Sequence, residues 1–166
     1  MKNKSMTRRI LNPFAMLCFG LAIGVVARLL DIFTTNLGEI FSQMAVWILM
    51  GTLISIYSRT AKLAMANVLA FCLGMLVTYY FVAALSHGVY SMGFVIGWTV
   101  FALCSPVMAY FAWLTKERGI FAKIVRVGIV AVSILSSILL FDRLRIYDFL
   151  IDGTLLYFLF FKKVNR

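Results

Sequence analysis

Residues 93–126 read GFVIGWTVFALCSPVMAYFAWLTKERGIFAKIVR: no charged side chain stands between Gly93 and Leu114, and then Lys116, Arg118, Lys123 and Arg126 follow against a single acid, Glu117. The apolar part, as a helix rising about 1.5 Å per residue, reaches about 33 Å. That length crosses a hydrocarbon core about 30 Å thick. The basic cluster behind it marks the side on which Lys and Arg are retained, the cytoplasmic one.

The same alternation recurs along the chain. Apolar segments run over residues 10–30, 40–57, 63–85, 93–114, 125–141 and 146–161. The reading is all-α: a polytopic transmembrane helical bundle of six helices in one transmembrane domain, 1–166. Composition agrees, because 63% of the residues are hydrophobic and 13% charged, against about 25% charged in soluble domains. Lipid must therefore solvate much of the surface. The gaps at 31–39, 58–62, 86–92, 115–124 and 142–145 leave no room for an extramembrane domain and predict antiparallel consecutive helices.

Charge sets the orientation. With the N-terminus inside, thirteen of the sixteen basic residues and one of the six acids fall on the cytoplasmic side, a net +12. Three bases and five acids fall outside, a net −2. The sixth segment is the marginal one, since it contains Asp148 and Asp152. Without it Lys162, Lys163 and Arg166 would lie outside, so six crossings with both termini cytoplasmic fit better. A cleaved signal peptide is the competing reading of the first segment, but the apolar run continues past Ala22 and Gly24 to Leu30. The expected location is a membrane whose basic face is the cytoplasmic one. The net charge of +10 is thereby a topology signal; no nucleic acid is expected, because no basic soluble module is present. The expected partners are the bilayer and a membrane protein or second copy.

Within the spans, Gly20 and Gly24 form one GxxxG and Gly93 with Gly97 another. Small residues four apart let two backbones approach, either inside the bundle or at a dimer seam or cavity wall. Pro106 removes a backbone hydrogen bond and predicts a kink near Cys104 and Ser105, fixed or hinge-like. Asn67, Gln43, Thr52 and Thr78 are expected to hydrogen-bond between helices, and Tyr79, Tyr80, Tyr90, Trp98, Trp113 and Tyr147 to anchor segment ends. Cys18, Cys72 and Cys104 stand singly in apolar runs, as packing residues, and the lone His87 sits in a turn.

The sharpest candidate is the ionisable group at the outer ends of helices 1 and 6. Arg28 precedes Asp31 by three residues, Arg145 stands in the same relation to Asp148, and Asp152 follows one turn later. A carboxylate at bilayer depth costs about 2.5–3.5 kcal/mol on insertion scales, so Asp152 should face the bundle or a wet cavity. It serves a structural ion pair with Arg28 or Arg145, a solute or cation site, or a proton relay.

The stretches GLAIGVVARLLDIF at Gly20–Phe33, LAFCLGMLVTYY at Leu69–Tyr80 and LFDRLRIYDFLI at Leu140–Ile151 resemble a group of small bacterial multipass membrane proteins with no assigned function, which implies the bacterial cytoplasmic membrane as the location. In size and span count the chain is also similar to the substrate-binding subunits of energy-coupling-factor vitamin transporters. That resemblance implies a six-helix subunit beside a shared ATPase module, and no motif residue carries over.

Two functions follow. In the first, a small-solute transport or transport-associated subunit, the outer ends of helices 1 and 6 and the loop 31–39 line an outward site whose cavity reaches Asp152. In the second, a structural or regulatory protein packs against a membrane partner through a GxxxG face turned to lipid. An enzyme is not expected: the chain has no HExxH, GxSxG or P-loop, and no catalytic residue, metal-ligand set or cofactor motif.

Overall fold

The computed structural model describes residues 11–34, 43–86, 91–141 and 145–164. His87, Tyr90, Glu39, Asp142, Arg143 and the N-terminal basic residues lie outside these. The described chain is all-helical: α1 (Pro13–Phe33), α2 (Met44–Tyr57), α3 (Ala61–Leu85), α4 (Met92–Leu114), α5 (Ile120–Phe141) and α6 (Ile146–Leu156), the last continuing as a π-helical turn, Tyr157–Phe161.

Local chemistry sets the helix starts. Asn12 accepts a hydrogen bond from Ala15 N at 2.8 Å, with Pro13 in the first turn of α1, where a missing N–H costs nothing. Thr60 accepts from Leu63 N at 3.2 Å to start α3, and Ser91 from Gly93 N at 3.3 Å to start α4. α4 passes through Pro106 as one helix. The link to α5 turns at Gly119, whose φ of 131° a side chain would disfavour. Because that link is short, α5 begins at Ile120, five residues before the expected Val125, and carries Lys123 and Arg126 in its first two turns. α2 begins at Met44, and the expected start at Ile40 lies outside the described residues.

Among the described residues four helices, α1, α3, α4 and α5, are long and apolar enough to cross a membrane. The chain is a multi-pass membrane protein. α2 has 14 residues, about 21 Å of helix, and the segment from Ile146 through the π turn is also short of the long four.

Interhelical contacts fix the directions. Gly20 meets Phe71 and Gly24 meets Met75, so α1 and α3 run parallel. Ser133 and Ser137 of α5 meet Asp152 and Asp148 of α6 in reverse order, so those two are antiparallel. Trp47 and Trp98 meet edge to face at 6.4 Å, and Trp113 Nε1 donates to Ser58 O at 3.1 Å, which places α2 parallel to α4. The bundle is up-and-down throughout. One end gathers Arg59, Lys62, Lys116, Arg118, Lys123, Lys162 and Lys163 and is called the basic end here.

α2 lies centrally, packed against α3, α4, α5 and α6. α1 packs chiefly on α3 and borders the bundle on one flank; α6 borders it on the other, against α2 and α5. The main core joins Met16, Trp47, Ile54, Val68, Phe71 and Met75, and a smaller one joins Val130, Leu155 and Leu159. Phe33, Val77, Phe81, Leu103 and Ile124 are among many large apolar side chains turned outward, as a lipid-solvated surface requires.

Candidate functional site

The five ionisable residues singled out in the sequence form two separate clusters, because α1 and α6 sit on opposite flanks and share no packed interface. In the first, Arg28 of α1 pairs with Asp31 one turn on. Tyr79 of α3 donates its hydroxyl to Asp31 Oδ2 at 3.2 Å, and the Arg28 guanidinium lies 5.6 Å from the Tyr79 ring centroid. Arg28 is 8% exposed although its ion-pair partner Asp31 is exposed. The pair and the tyrosine together lock α1 to α3 away from the basic end.

In the second cluster, Asp148 is fully buried and Asp152 is 7% exposed. Asp152 Oδ1 accepts from Ser133 Oγ at 2.6 Å. Asp148 Oδ2 accepts from the backbone N–H of Arg145 at 2.7 Å, and its Oδ1 faces Ser137 Oγ at 3.4 Å. The Arg145 side chain lies farther off, Nε to Oδ2 3.9 Å, over the Tyr147 ring at 4.7 Å. Asp148 therefore acts chiefly as a first-turn acid of α6, where free N–H groups and the helix dipole favour a carboxylate. Asp152 is held by a serine and not by an arginine. Its partner is the feature the sequence reading missed: Ser133, Ser136 and Ser137 lie at i, i+3 and i+4, one face of the otherwise apolar second half of α5. Asp148 and Asp152, spaced i and i+4, match that face.

A cavity of about 360 Å³ opens sideways between α4 and α5 over a floor of α2 and α3. Trp47, Phe101, Met108, Ile124, Gly128 and Val132 line it, and none of the five ionisable residues does. Its polar lining comes from Thr52, Cys72 and Ser105. Ser105 is 2% exposed and its Oγ makes no hydrogen bond.

The two GxxxG pairs have opposite surroundings. Gly20 and Gly24 are buried, with Phe71 O, Met75 O and Thr78 Oγ1 where a methyl group would stand. Gly74 answers from α3, where a Cβ would lie 2.6 Å from Leu17 O. Thr78 Oγ1 donates to Leu21 O at 2.8 Å across this seam. Gly93 and Gly97 are exposed, and a Cβ at Gly97 would meet nothing within 4 Å. They pack against no other helix of the described chain.

At the basic end, Asn67 Nδ2 donates to Ser58 Oγ at 3.0 Å and to Leu11 O at 3.4 Å, tying α3 to the ends of α1 and α2. Lys116 Nζ donates to Phe158 O, to Leu159 O at 3.2 Å and to Lys162 O at 2.9 Å, closing the π turn. Arg126 Nε donates to Thr115 O at 2.6 Å. These cations satisfy terminal carbonyls that the helices leave free.

A family profile, described as a family of unknown function (DUF6518), matches residues 3–146. The chain belongs to DUF6518. The matched span takes in α1 to α5, the buried glycine seam, the exposed Gly93 and Gly97 and the lateral cavity, and it ends where α6 begins. Asp148 and Asp152 thus lie outside the DUF6518 match, and their serine partners inside it. No curated protein and no solved structure matches the chain.

Proposed function

We propose that this DUF6518 member is a non-catalytic membrane protein of six crossings, both termini cytoplasmic, that works by packing against a membrane partner along α4. The topology rests on the even number of alternating helices and on the gathering of Lys and Arg at one end, the retained side in a bacterial cytoplasmic membrane. Within it the short α2 is sheltered by four neighbours, and α6 is fixed by its two buried carboxylates.

The observation that carries the partner reading is the open face at Gly93 and Gly97. The same spacing in α1 is filled by α3, whereas in α4 the glycines face outward beside exposed Phe94, Ile96 and Val100. Only 17% of the most apolar stretch of α4 is buried, against 28–33% for the other three long helices. Small residues on a lipid-facing helix lower the local surface so that a second helix can approach and gain van der Waals contact that lipid tails do not match.

Cysteine crosslinking along α4 in native membranes tests this. Gly97→Leu is expected to leave membrane abundance unchanged, since a side chain there meets open space, and to abolish the crosslinked species. Monomer alone in the wild-type protein, or a crosslinked band that persists in Gly97→Leu, sinks the reading.

A further inference from the structure

We infer that the lateral cavity between α4 and α5 is a binding site for an uncharged, membrane-dissolved carbonyl compound of the quinone or apolar ketone class. Four observations carry it, none of which depends on the partner reading of α4. The volume of about 360 Å³ falls in the range of ligand pockets, about 300–1,000 Å³. Exposed Met108, Phe111, Ile124 and Val132 border it, so the way in is from the bilayer and not from water. Its wall is apolar and aromatic, with Trp47, Phe101 and Phe111 among the lining residues.

The fourth observation selects the chemistry. Ser105 borders the cavity, is 2% exposed, and its hydroxyl makes no hydrogen bond. A serine in a helix ordinarily donates to the carbonyl one turn back, as Ser55, Ser58 and Thr99 do here at 2.7–2.8 Å. Ser105 makes no such bond, and the polar side chain that faces it is the Cys72 thiol, whose sulfur is only a weak acceptor, so the serine proton has no strong one. A buried, unsatisfied donor in a hydrocarbon setting is costly, so a ligand that brings an acceptor gains more there than an alkane would.

Depth distinguishes two sources of that acceptor. Ser105 is nine residues from the Leu114 end of α4, about 14 Å by helical rise. The ester carbonyls of a phospholipid sit at the hydrocarbon edge, tied to a polar headgroup, and cannot reach it. A carbonyl on a ring that dissolves whole in the bilayer can.

Gly128 supplies the decisive variant. It borders the cavity, and a side chain built there meets nothing within 4 Å. Gly128→Leu should fill the space without disturbing the helices, and Val132→Trp, at an exposed position on the rim, blocks it independently.

The full chain in lipid nanodiscs is titrated with decylubiquinone while tryptophan emission is followed, Trp47 being the tryptophan that lines the cavity. Native mass spectrometry of the same samples identifies what is bound. The expected result is a saturable quench and a single quinone adduct in the wild type. Both are lost in Gly128→Leu and Val132→Trp at an unchanged unfolding midpoint. Ser105→Ala should raise the dissociation constant about two- to tenfold, the worth of one neutral hydrogen bond. A quench that rises linearly without saturating, or an adduct that survives both blocking variants, overturns the site. Phospholipid adducts alone, insensitive to Ser105→Ala, overturn the ligand class and make the cavity an acyl-chain slot.

Discussion

Buried carboxylates in this protein are joined to hydroxyl and backbone donors, which changes what their substitution should do. Ser133 Oγ donates to Asp152 Oδ1 at 2.6 Å, and an asparagine keeps an acceptor at that position. Asp152→Asn is therefore expected to unfold within about 0.5 kcal/mol of the wild type. Asp152→Leu, which strands the Ser133 hydroxyl, should lose about 1–3 kcal/mol. Reversible unfolding in mixed micelles measures both. Equal losses for the two would mean that the charge itself, and not the acceptor, holds α6 to α5. The Arg28–Asp31 pair was legible at this scale, since its three-residue spacing sets both side chains on one face of α1. The sequence also suggested an arginine partner for Asp152. That partner is a serine, because Arg28 belongs to the opposite flank of the bundle and Arg145 lies at the start of α6, over Tyr147.

Among the elements, the glycine pairs show how far a motif carries without its neighbours. Gly20–Gly24 and Gly93–Gly97 are the same pattern, and periodicity predicts for both only that the small residues share a face. Gly74 of α3, spaced to meet Leu17, turns the first into a seam; no helix of the described chain does this for the second. The end of α6 is a further case. Its last carbonyls, at Phe158, Leu159 and Lys162, are met by Lys116 from the α4–α5 turn. Lys116→Met keeps most of the stem and removes the donor. It should release the π turn, raising amide hydrogen exchange over residues 157–164, at a cost of about 0.3–2 kcal/mol. Exchange unchanged in that stretch would show that side-chain packing of Leu159 alone secures the turn. The sequence grouped Lys116 with the other cations of one side, and the structure gathers it with them at the basic end, but charge counting does not reveal a hydrogen-bond partner in the turn after α6.

For the whole molecule, topology is the property that charge and length specify most fully. Reporter fusions after Arg166 and within the turn at Gly119 are expected to report the cytoplasm, and a fusion in the turn following Ser86 the opposite side. A fusion at residue 166 that reports the outside would remove α6 as a crossing and strand Lys162 and Lys163 on the wrong face. The sequence by itself determined that the chain is helical, that it lives in lipid, how many helices it has and how they alternate. These follow from two local quantities, the length of apolar runs against bilayer thickness and the positions of Lys and Arg, neither of which depends on what packs against what. Only the tertiary structure decided which helices are neighbours, and with that the rest. It put α2 at the centre, separated the Arg28 and Asp152 clusters, and buried one glycine pair while exposing the other. It also set the cavity between α4 and α5 beside Ser105. In a bilayer every outward apolar side chain is already solvated, so hydrophobicity no longer distinguishes inside from outside. What selects the packing is shape and a few hydrogen bonds between residues far apart in the chain, and those appear only once the helices are assembled.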